Sequence, residues 1–166
     1  MKLNLGCGDK KMHGYINIDI CPDFKPDRVD NALELKSYAN GAIDEIVMFH
    51  LFEHLTYDEA IIGLKRWYEL LREGGKLIIE MPDANRCLTM IGRGKERREL
   101  GVIGIYGYEP DIKKHGRSFT HKFLWARRHI IKEYKIAGFK KIEIEDSRKN
   151  RPAAKYHRDM RVKGIK

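Results

Sequence analysis

The chain has 166 residues, 42% of them hydrophobic, with 33 Lys or Arg against 24 Asp or Glu and a formal net charge of +9. This predicts one domain over residues 1–166, and no apolar stretch reaches the roughly eighteen residues of a membrane span. Because the amino terminus enters a strand at once and Cys7, Cys21 and Cys87 are an odd, unpatterned set, we expect no signal peptide and a cytoplasmic protein with reduced thiols.

Apolar patterns predict strands that alternate with helices, the arrangement of an α/β protein. Thr56 and Glu59 form a capping-box pattern, and the helix that follows is predicted to end at Gly74 and Gly75. A second helix is predicted over about 123–137, and residues 160–165 alternate as a closing strand. The other predicted strands cover 2–6, 15–20, 45–49, 76–81 and 140–145, with a short one near 28–30.

The first twenty residues predict a nucleoside site. Gly6 and Gly8 follow the first strand and let the backbone close on a ligand, while Asp19 ends the second strand and can accept hydrogen bonds from ribose hydroxyls. Lys10 occupies the place of the third glycine of the dinucleotide fingerprint, and Asp19 comes only eleven residues after Gly8. A helix that binds pyrophosphate therefore has little room here.

The segment 3–8, Leu-Asn-Leu-Gly-Cys-Gly, resembles the motif that opens class I S-adenosylmethionine-dependent methyltransferases. Asp19 stands where that family has its ribose-binding acid. Four further segments resemble family motifs in the same order, at 30–35, 44–55, 70–82 and 137–144. The resemblance implies an α/β, Rossmann-like, doubly wound and mostly parallel sheet with a terminal antiparallel strand beside the sixth.

The resemblance also implies S-adenosyl-L-methionine as the cofactor. Asn31 stands where the family commonly has Asp, so its side-chain oxygen is expected to meet the adenine amino group, and Ala32 is expected to offer a backbone amide. The predicted cofactor-binding residues are Asn4, Gly6, Cys7, Gly8, Asp19, Ile20, Asn31, Ala32 and His50.

The segment His50-Leu-Phe-Glu53-His54 also matches the inverted signature of zinc proteases. We reject that interpretation because His50 directly follows a strand, whereas those enzymes need the motif inside a long helix. The segment resembles the Glu-x-x-Glu-His of quinone-biosynthesis O-methyltransferases, which bind a divalent ion, but His50 replaces the first Glu, so we predict no metal site. His50, His54 and His115 are the predicted catalytic residues, as a base or as the lining of the acceptor pocket.

Two short crossovers, 7–14 and 21–27, leave little room for helices on one sheet face. Parallel strands are usually apolar on both faces, so another part of the protein should cover the face that lacks helices. Either an insertion at 85–122 folds over this face or a second subunit does, and we hypothesise a homodimer.

Residues 83–122 are the predicted substrate-side insertion, which resembles a stretch in bacterial methyltransferases associated with surface sugars. In it, His121 is a further candidate base, and a basic set could hold phosphate. Residues 147–166 form a basic C-terminal strand and tail with eight Lys or Arg against one Asp. We expect methyl transfer to a small-molecule or glycan acceptor rather than to RNA, because the sequence has no RNA-recognition motif in which aromatic residues alternate with basic ones. An RNA methyltransferase and a non-catalytic cofactor-binding subunit are the alternatives. The basic residues of the insertion that could hold phosphate are Arg93, Arg97, Arg98, Lys113, Lys114 and Arg117.

Overall fold

The computed structural model describes residues 1–147 and 157–166, and in them a seven-stranded sheet has the order β3-β2-β1-β4-β5-β7-β6. The predicted Rossmann-like fold is confirmed. The strands are β1 (Lys2–Leu5), β2 (Ile16–Asp19), β3 (Arg28–Val29), β4 (Ile43–Phe49), β5 (Leu71–Pro82), β6 (Lys140–Asp146) and β7 (Asp159–Ile165). The helices are α1 (Tyr57–Leu70), α2 (Ala84–Ile91), α3 (Lys95–Tyr106), α4 (Glu109–His115) and α5 (Arg127–Ala137).

The sheet is parallel except at one strand. Neighbours from β3 through β5 pair in parallel, and β7 runs antiparallel between β5 and β6. The terminal antiparallel strand is therefore confirmed, and so is the short third strand. Because the carboxyl ends of β1, β2, β3 and β4 lie at one edge, the loops that follow them converge there.

The core lies between one face of the sheet and helices α1 and α5. Trp67 of α1 and Tyr134 of α5 are fully buried in it, together with Trp125 at 1% exposure. At the start of α1 the capping box is formed, since the Thr56 side chain accepts from the Glu59 N–H and the Glu59 carboxylate accepts from the Thr56 N–H.

The end of α1 differs from the prediction. The helix stops at Leu70, four residues before Gly74, and the two glycines lie inside β5, whose register with β4 shifts there. Gly74 has a φ of +74°, which suits glycine in an irregular strand. The Lys166 ammonium donates to the Tyr68 and Leu71 carbonyls at 2.8 Å, so the last residue of the chain caps this helix.

The second face of the sheet carries polar and charged residues among apolar ones such as Val47. Asn4 and Asn17 lie side by side on β1 and β2, joined by a 2.9 Å hydrogen bond. Ion pairs cross this face from Lys2 to Glu45, from Lys163 to Glu143 and from Arg161 to Glu80. Cross-strand ion pairs tolerate water, so this face needs less cover than a typical parallel sheet. The homodimer stays a prediction.

The short crossovers are present, with only a 3₁₀ turn at Pro22–Phe24. The insertion, whose sequence lacks a clean helical period, nevertheless forms α2, α3 and α4. Its helices pack through glycines, since a Cβ on Gly101 would lie 2.6 Å from the Cys87 carbonyl oxygen and one on Gly104 would lie 2.4 Å from the Cys87 Sγ. Apolar periodicity misses an interface made by small residues.

The helix predicted over 123–137 begins later, at Arg127. The residues before it make backbone hydrogen bonds to other segments instead of within a helix. Lys122 donates its N–H to the Glu53 carbonyl, and the Trp125 carbonyl accepts from the Ala84 N–H. Cys7, Cys21 and Cys87 are all free thiols. Among the described helices, none combines the length and apolarity needed to cross a bilayer. Of the predicted basic tail, residues 148–156 lie outside the described residues.

Candidate functional site

The glycine loop and Asp19 form one unit at the carboxyl edge of β1 and β2. Gly6 and Gly8 have φ of +64° and +51°, in the left-handed region that suits glycine. The Asp19 carboxylate accepts from the Gly8 N–H at 2.8 Å and from the Cys21 N–H at 2.9 Å. A carboxylate offers about four acceptor positions, so this one is held in place and can still accept from a ligand diol.

Beside Gly8 the structure leaves open space, whereas the loop is supported from behind. A Cβ on Gly8 would meet nothing within 4 Å, while one on Gly6 would lie 3.0 Å from the Leu51 side chain. The Cys7 N–H donates to the Ile18 carbonyl, which pins the loop to β2. The bare backbone at Gly8 therefore faces open space at the carboxyl edge of the sheet, the region called the cleft below.

Asn4 lies beneath this loop, 2% exposed, and its amide donates to the Lys10 carbonyl and to Asn17 Oδ1. Both amide protons are thus used within the protein. Asn17 in turn accepts from the Met12 N–H and donates to Asp27. This network fixes the crossover in the absence of a helix, so we assign Asn4 to holding the loop.

An apolar rim continues beyond Asp19. Ile20 is 70% exposed and Val29, at the end of the neighbouring strand, is 55% exposed, which is unusual beside buried strands. Asn31 makes a turn in which its Oδ1 accepts from the Leu33 N–H. The buried Trp67 indole donates to the Ala32 carbonyl at 2.8 Å, so the core fixes this turn.

His50 follows β4 with a φ of +57° and stands among carboxylates. Its Nδ1 lies 2.9 Å from Glu53 Oε1, and its Nε2 lies 3.6 Å from Asp159 Oδ2. Burial alone would lower the pKa of His50, but the bond to Glu53 and the charges of Glu53 and Asp159 outweigh it and raise that pKa. With 29% of its side chain exposed, His50 can exchange a proton with a bound molecule.

Glu53 is buried, 2% exposed, among three histidines. Burial would raise its pKa, yet the hydrogen bond from His50 and the positive potential of the His50, His54 and His121 rings lower it to about 2. His121 has its Nε2 3.9 Å from Glu53 Oε1, and burial lowers the pKa of its ring. His54 packs edge-on against His121, with ring centroids 4.9 Å apart.

Aromatic rings from the insertion extend across the cleft. His115 and Phe119 stack at 4.8 Å, and both rings contact Phe24, which follows β2, at 5.4 and 6.5 Å. Phe119 also lies 6.0 Å from the His54 ring. The insertion therefore lies over the carboxyl edge of the sheet, between the loops after β2 and β4, and can exclude water from a bound ligand.

The structure thus brings the predicted residues into two neighbouring groups. The Asp19 group lies at the ends of β1, β2 and β3, and the His50 group lies at the end of β4. Among the described residues, His115 is linked to these groups through its ring contacts with Phe24 and Phe119. The first group holds Gly6, Cys7, Gly8, Asp19, Ile20, Asn31 and Ala32, and the second holds His50 and His54.

The sequence analysis missed Arg158, which precedes β7. It is 6% exposed, its Nε donates to Asp159 Oδ1 at 2.8 Å, and its Nη1 is buried without a partner in the part of the chain that the structure describes. A Cβ on Gly104 would lie 2.7 Å from Arg158 Cδ, which places the guanidinium against the insertion. In the sequence, Arg158 is one of many basic residues in the tail.

No family model matches the chain, and no curated protein matches its sequence. Its fold resembles many solved structures. A SAM-dependent methyltransferase from Archaeoglobus fulgidus is 16% identical with a TM-score of 0.69, covering 99% of this chain and 85% of that one. One from Methanosarcina mazei is 16% identical with a TM-score of 0.68, covering 99% and 91%. The chain therefore has the fold of class I SAM-dependent methyltransferases.

A third structure is phosphoethanolamine N-methyltransferase 2 from Haemonchus contortus, in complex with S-adenosyl-L-methionine. It is 15% identical with a TM-score of 0.62, and the match covers 99% of this chain but 48% of that one. The described part of this chain corresponds to about half of that larger protein.

Proposed function

We propose that this chain is an S-adenosylmethionine-dependent methyltransferase that acts on a small-molecule or glycan acceptor carrying an anionic group. The observation that carries the proposal is the Asp19 carboxylate, fixed by the Gly8 and Cys21 N–H groups at the carboxyl edge of a sheet with this strand order. Ligands of open α/β sheets bind at that edge.

The residues present fit the cofactor. The open space at Gly8 suits close approach of a ligand to bare backbone, and the spare acceptor positions of Asp19 suit a ribose diol. The exposed Ile20 suits an adenine face, and Ala32 has an N–H without a hydrogen-bond partner among the described residues. When bound, S-adenosylmethionine would supply an electrophilic methyl group on a sulfonium.

The work left to the protein is to position the acceptor, exclude water and accept a proton. His50 meets the proton-transfer requirement best, because Glu53 orients its ring and its side chain is partly exposed beside the cleft. Phe119 and His115 close the cleft from the insertion side. A dry, closed pocket keeps the acceptor atom aligned with the methyl group.

An anionic acceptor is supported by Arg158. Arg158 Nη1 is buried and has no acceptor among residues 1–147 and 157–166. Such a guanidinium is costly unless something bonds to it, and a phosphate or carboxylate of the acceptor would do so. In the structural comparisons, the Haemonchus enzyme is also seen with phosphomonomethylethanolamine, a small phosphorylated molecule. Of the basic residues named from the insertion, Lys113 is already paired with Glu109.

RNA is the second candidate, and the basic tail was its main support. Within the described residues, that tail is largely used by the fold: Arg158 pairs with Asp159, Arg161 with Glu80 and Lys163 with Glu143. Lys166 caps α1. Cations that are paired in this way contribute little to a field that attracts phosphate backbones. This favours the small acceptor.

The experiment has two parts. Calorimetric titration with S-adenosylhomocysteine measures cofactor binding, with NAD as the control ligand because it shares adenosine but needs a pyrophosphate site. Single-turnover transfer of a labelled methyl group is then measured on phosphorylated small molecules, glycans and RNA. We expect the protein to bind S-adenosylhomocysteine but not NAD, and to methylate an anionic small acceptor. No binding, or tighter binding of NAD, would contradict the proposal.

Binding without transfer to any acceptor would favour the non-catalytic alternative. Selective methylation of RNA, with an affinity that falls steeply with salt, would favour the RNA enzyme. Sedimentation at micromolar protein concentration tests the predicted homodimer in the same buffer, and a monomer alone would remove it.

A further inference from the structure

A buried carboxylate and two imidazoles meet beneath the insertion, at the end of β4. One ligand-type atom from each of Glu53, His54 and His121 lies within 4.8 Å of the other two. Two of these residues come from the turn after β4, whereas His121 comes from the segment after the helical insertion, so tertiary folding assembles the group.

Both imidazoles have a fixed tautomer. His121 Nδ1 lies 2.9 Å from the Gly104 carbonyl oxygen, and His54 Nδ1 lies 3.3 Å from the Thr120 carbonyl oxygen. A carbonyl oxygen only accepts, so each Nδ1 carries a proton and each Nε2 has a free lone pair when the ring is neutral. A backbone carbonyl that holds one nitrogen so that the other can ligate is the usual support of a metal-binding histidine.

The carboxylate is likewise supported on one side and unused on the other. Glu53 Oε1 is engaged by His50 Nδ1 at 2.9 Å, whereas Oε2 is buried without a partner in the described residues. Glu53 is only 2% exposed, so bulk water cannot take the place of the missing partner, and leaving this oxygen unpaired costs free energy. A bound cation would satisfy this buried carboxylate oxygen and the two imidazole lone pairs at once.

The sequence predicted no metal site here because His50 replaces a ligand, but folding adds His121 to the group. We propose that Glu53, His54 and His121 bind one zinc ion, with His50 supporting Glu53 from outside the coordination shell. Two imidazoles and one carboxylate are a ligand set that zinc accepts. Ligand atoms about 2.0–2.1 Å from a tetrahedral ion lie about 3.4 Å apart. One ligand atom from each residue lies within 4.8 Å of the other two, and His121 Nε2 lies 3.9 Å from Oε1 of the Glu53 carboxylate, so small side-chain rotations bring the three to ligation distance.

Three protein ligands leave the fourth tetrahedral position to water or to another molecule, the pattern of a catalytic rather than a structural zinc. His54 contacts Phe119 of the aromatic roof, so that position lies near the proposed acceptor cleft. On the proposed function, an acceptor oxygen or nitrogen bound there would lose its proton more readily. Zinc binding itself does not depend on methyl transfer.

The test uses the full chain, freed of any affinity tag, stripped with a chelator and titrated with ZnCl₂ in equilibrium dialysis. Cobalt(II) titration gives a second readout, because a four-coordinate site of nitrogen and oxygen ligands has a visible spectrum without thiolate charge transfer. The variants are His121→Ala and the conservative Glu53→Gln, which keeps the shape of the side chain. His13→Ala is the matched control, since that histidine is exposed on the 7–14 crossover.

We expect one zinc per wild-type and His13→Ala chain, and a loss of about 100-fold or more in affinity in both ligand variants, beyond the 10–100-fold typical of supporting residues. Circular dichroism checks that Glu53→Gln is folded. No zinc bound by the wild type, equal affinity in the folded variants, or a thiolate band from a cysteine would each overturn the site. Calorimetry with S-adenosylhomocysteine measures cofactor binding separately, so a failure of the zinc site can be told apart from a failure of the proposed function.

Discussion

Asp19 accepts a hydrogen bond from the Gly8 N–H at 2.8 Å, so the acid that ends β2 also shapes the glycine loop after β1. The same carboxylate accepts from the Cys21 N–H on its other oxygen. Two short crossovers that lack helices are thereby tied to a single side chain. The carboxylate is held in position before any ligand arrives, which reduces the entropy lost on binding.

Asp19→Ala should weaken S-adenosylhomocysteine binding by about 1–3 kcal/mol, the scale of charge-assisted hydrogen bonds. The reason is the loss of the diol acceptor together with the anchor of Gly8. Calorimetric titration measures it. Asp23→Ala removes an exposed carboxylate from the same crossover and should leave the affinity unchanged. Equal affinity in both variants would remove Asp19 from the ribose site.

Gly8→Ala separates backbone strain from blocked space. Gly8 has a φ of +51° and Gly14 a φ of +83°, and a Cβ on either would meet nothing within 4 Å. Alanine at either position should cost about 1–2 kcal/mol of unfolding free energy, because both need left-handed backbone. Only Gly8→Ala should also reduce cofactor affinity, since its methyl group would enter the cleft. Urea unfolding and calorimetry measure the two effects. Equal affinity in the two variants would place the cofactor elsewhere.

Gly104→Ala tests how the insertion is attached. Its Cβ would lie 2.4 Å from Cys87 Sγ and 2.7 Å from Arg158 Cδ, so α3 must move away from α2. We expect a loss of about 1–3 kcal/mol in unfolding free energy, the usual cost of overpacking. Gly92→Ala, where the nearest atom is 3.9 Å away, is the control and should be neutral or slightly stabilising. A neutral Gly104→Ala would mean that the two helices pack less closely than described.

Asp146 should make the protein sensitive to acid. Hydrogen bonds from Arg127 and then from Arg86 lower the pKa of this carboxyl below its ordinary value of 3.8. A group whose folded pKa is depressed stabilises the fold above its unfolded pKa and loses that contribution as pH falls through the folded value. Asp146→Asn should therefore lower the unfolding free energy by about 1 kcal/mol at pH 7, since the site is partly exposed.

The difference between wild type and Asp146→Asn should shrink as the pH falls below about 4, measured by urea unfolding across that range. Glu143→Gln is the control on the same strand, where the carboxylate is exposed and pairs with Lys163. A gap between wild type and Asp146→Asn that stays constant with pH would contradict the ion-pair explanation.

The sequence by itself determined which segments form the strands and that Gly6, Gly8 and Asp19 follow the first two of them, because both rest on local patterns. Apolar periodicity marks β1, β2, β4 and α1, and a glycine pair followed by a strand ending in Asp19 needs only adjacent strands to become a cleft. It also marked the last strand, since alternation over 160–165 survives the charged residues between. Errors arose where a long-range contact decides an end, as at Leu70, where Lys166 caps the helix.

Only the tertiary structure decided the second half of the site, the group of residues at the end of β4. Glu53 and His121 are separated by the whole insertion, and their approach to 3.9 Å depends on α2 and α3 packing through Gly101 and Gly104. Arg158 Nη1, which has no partner in the described part of the chain, is buried only because of how the fold packs there. Periodicity reports which face of an element is apolar, whereas the pairing of buried polar groups depends on how distant elements dock, and that is set by the packing of the whole domain.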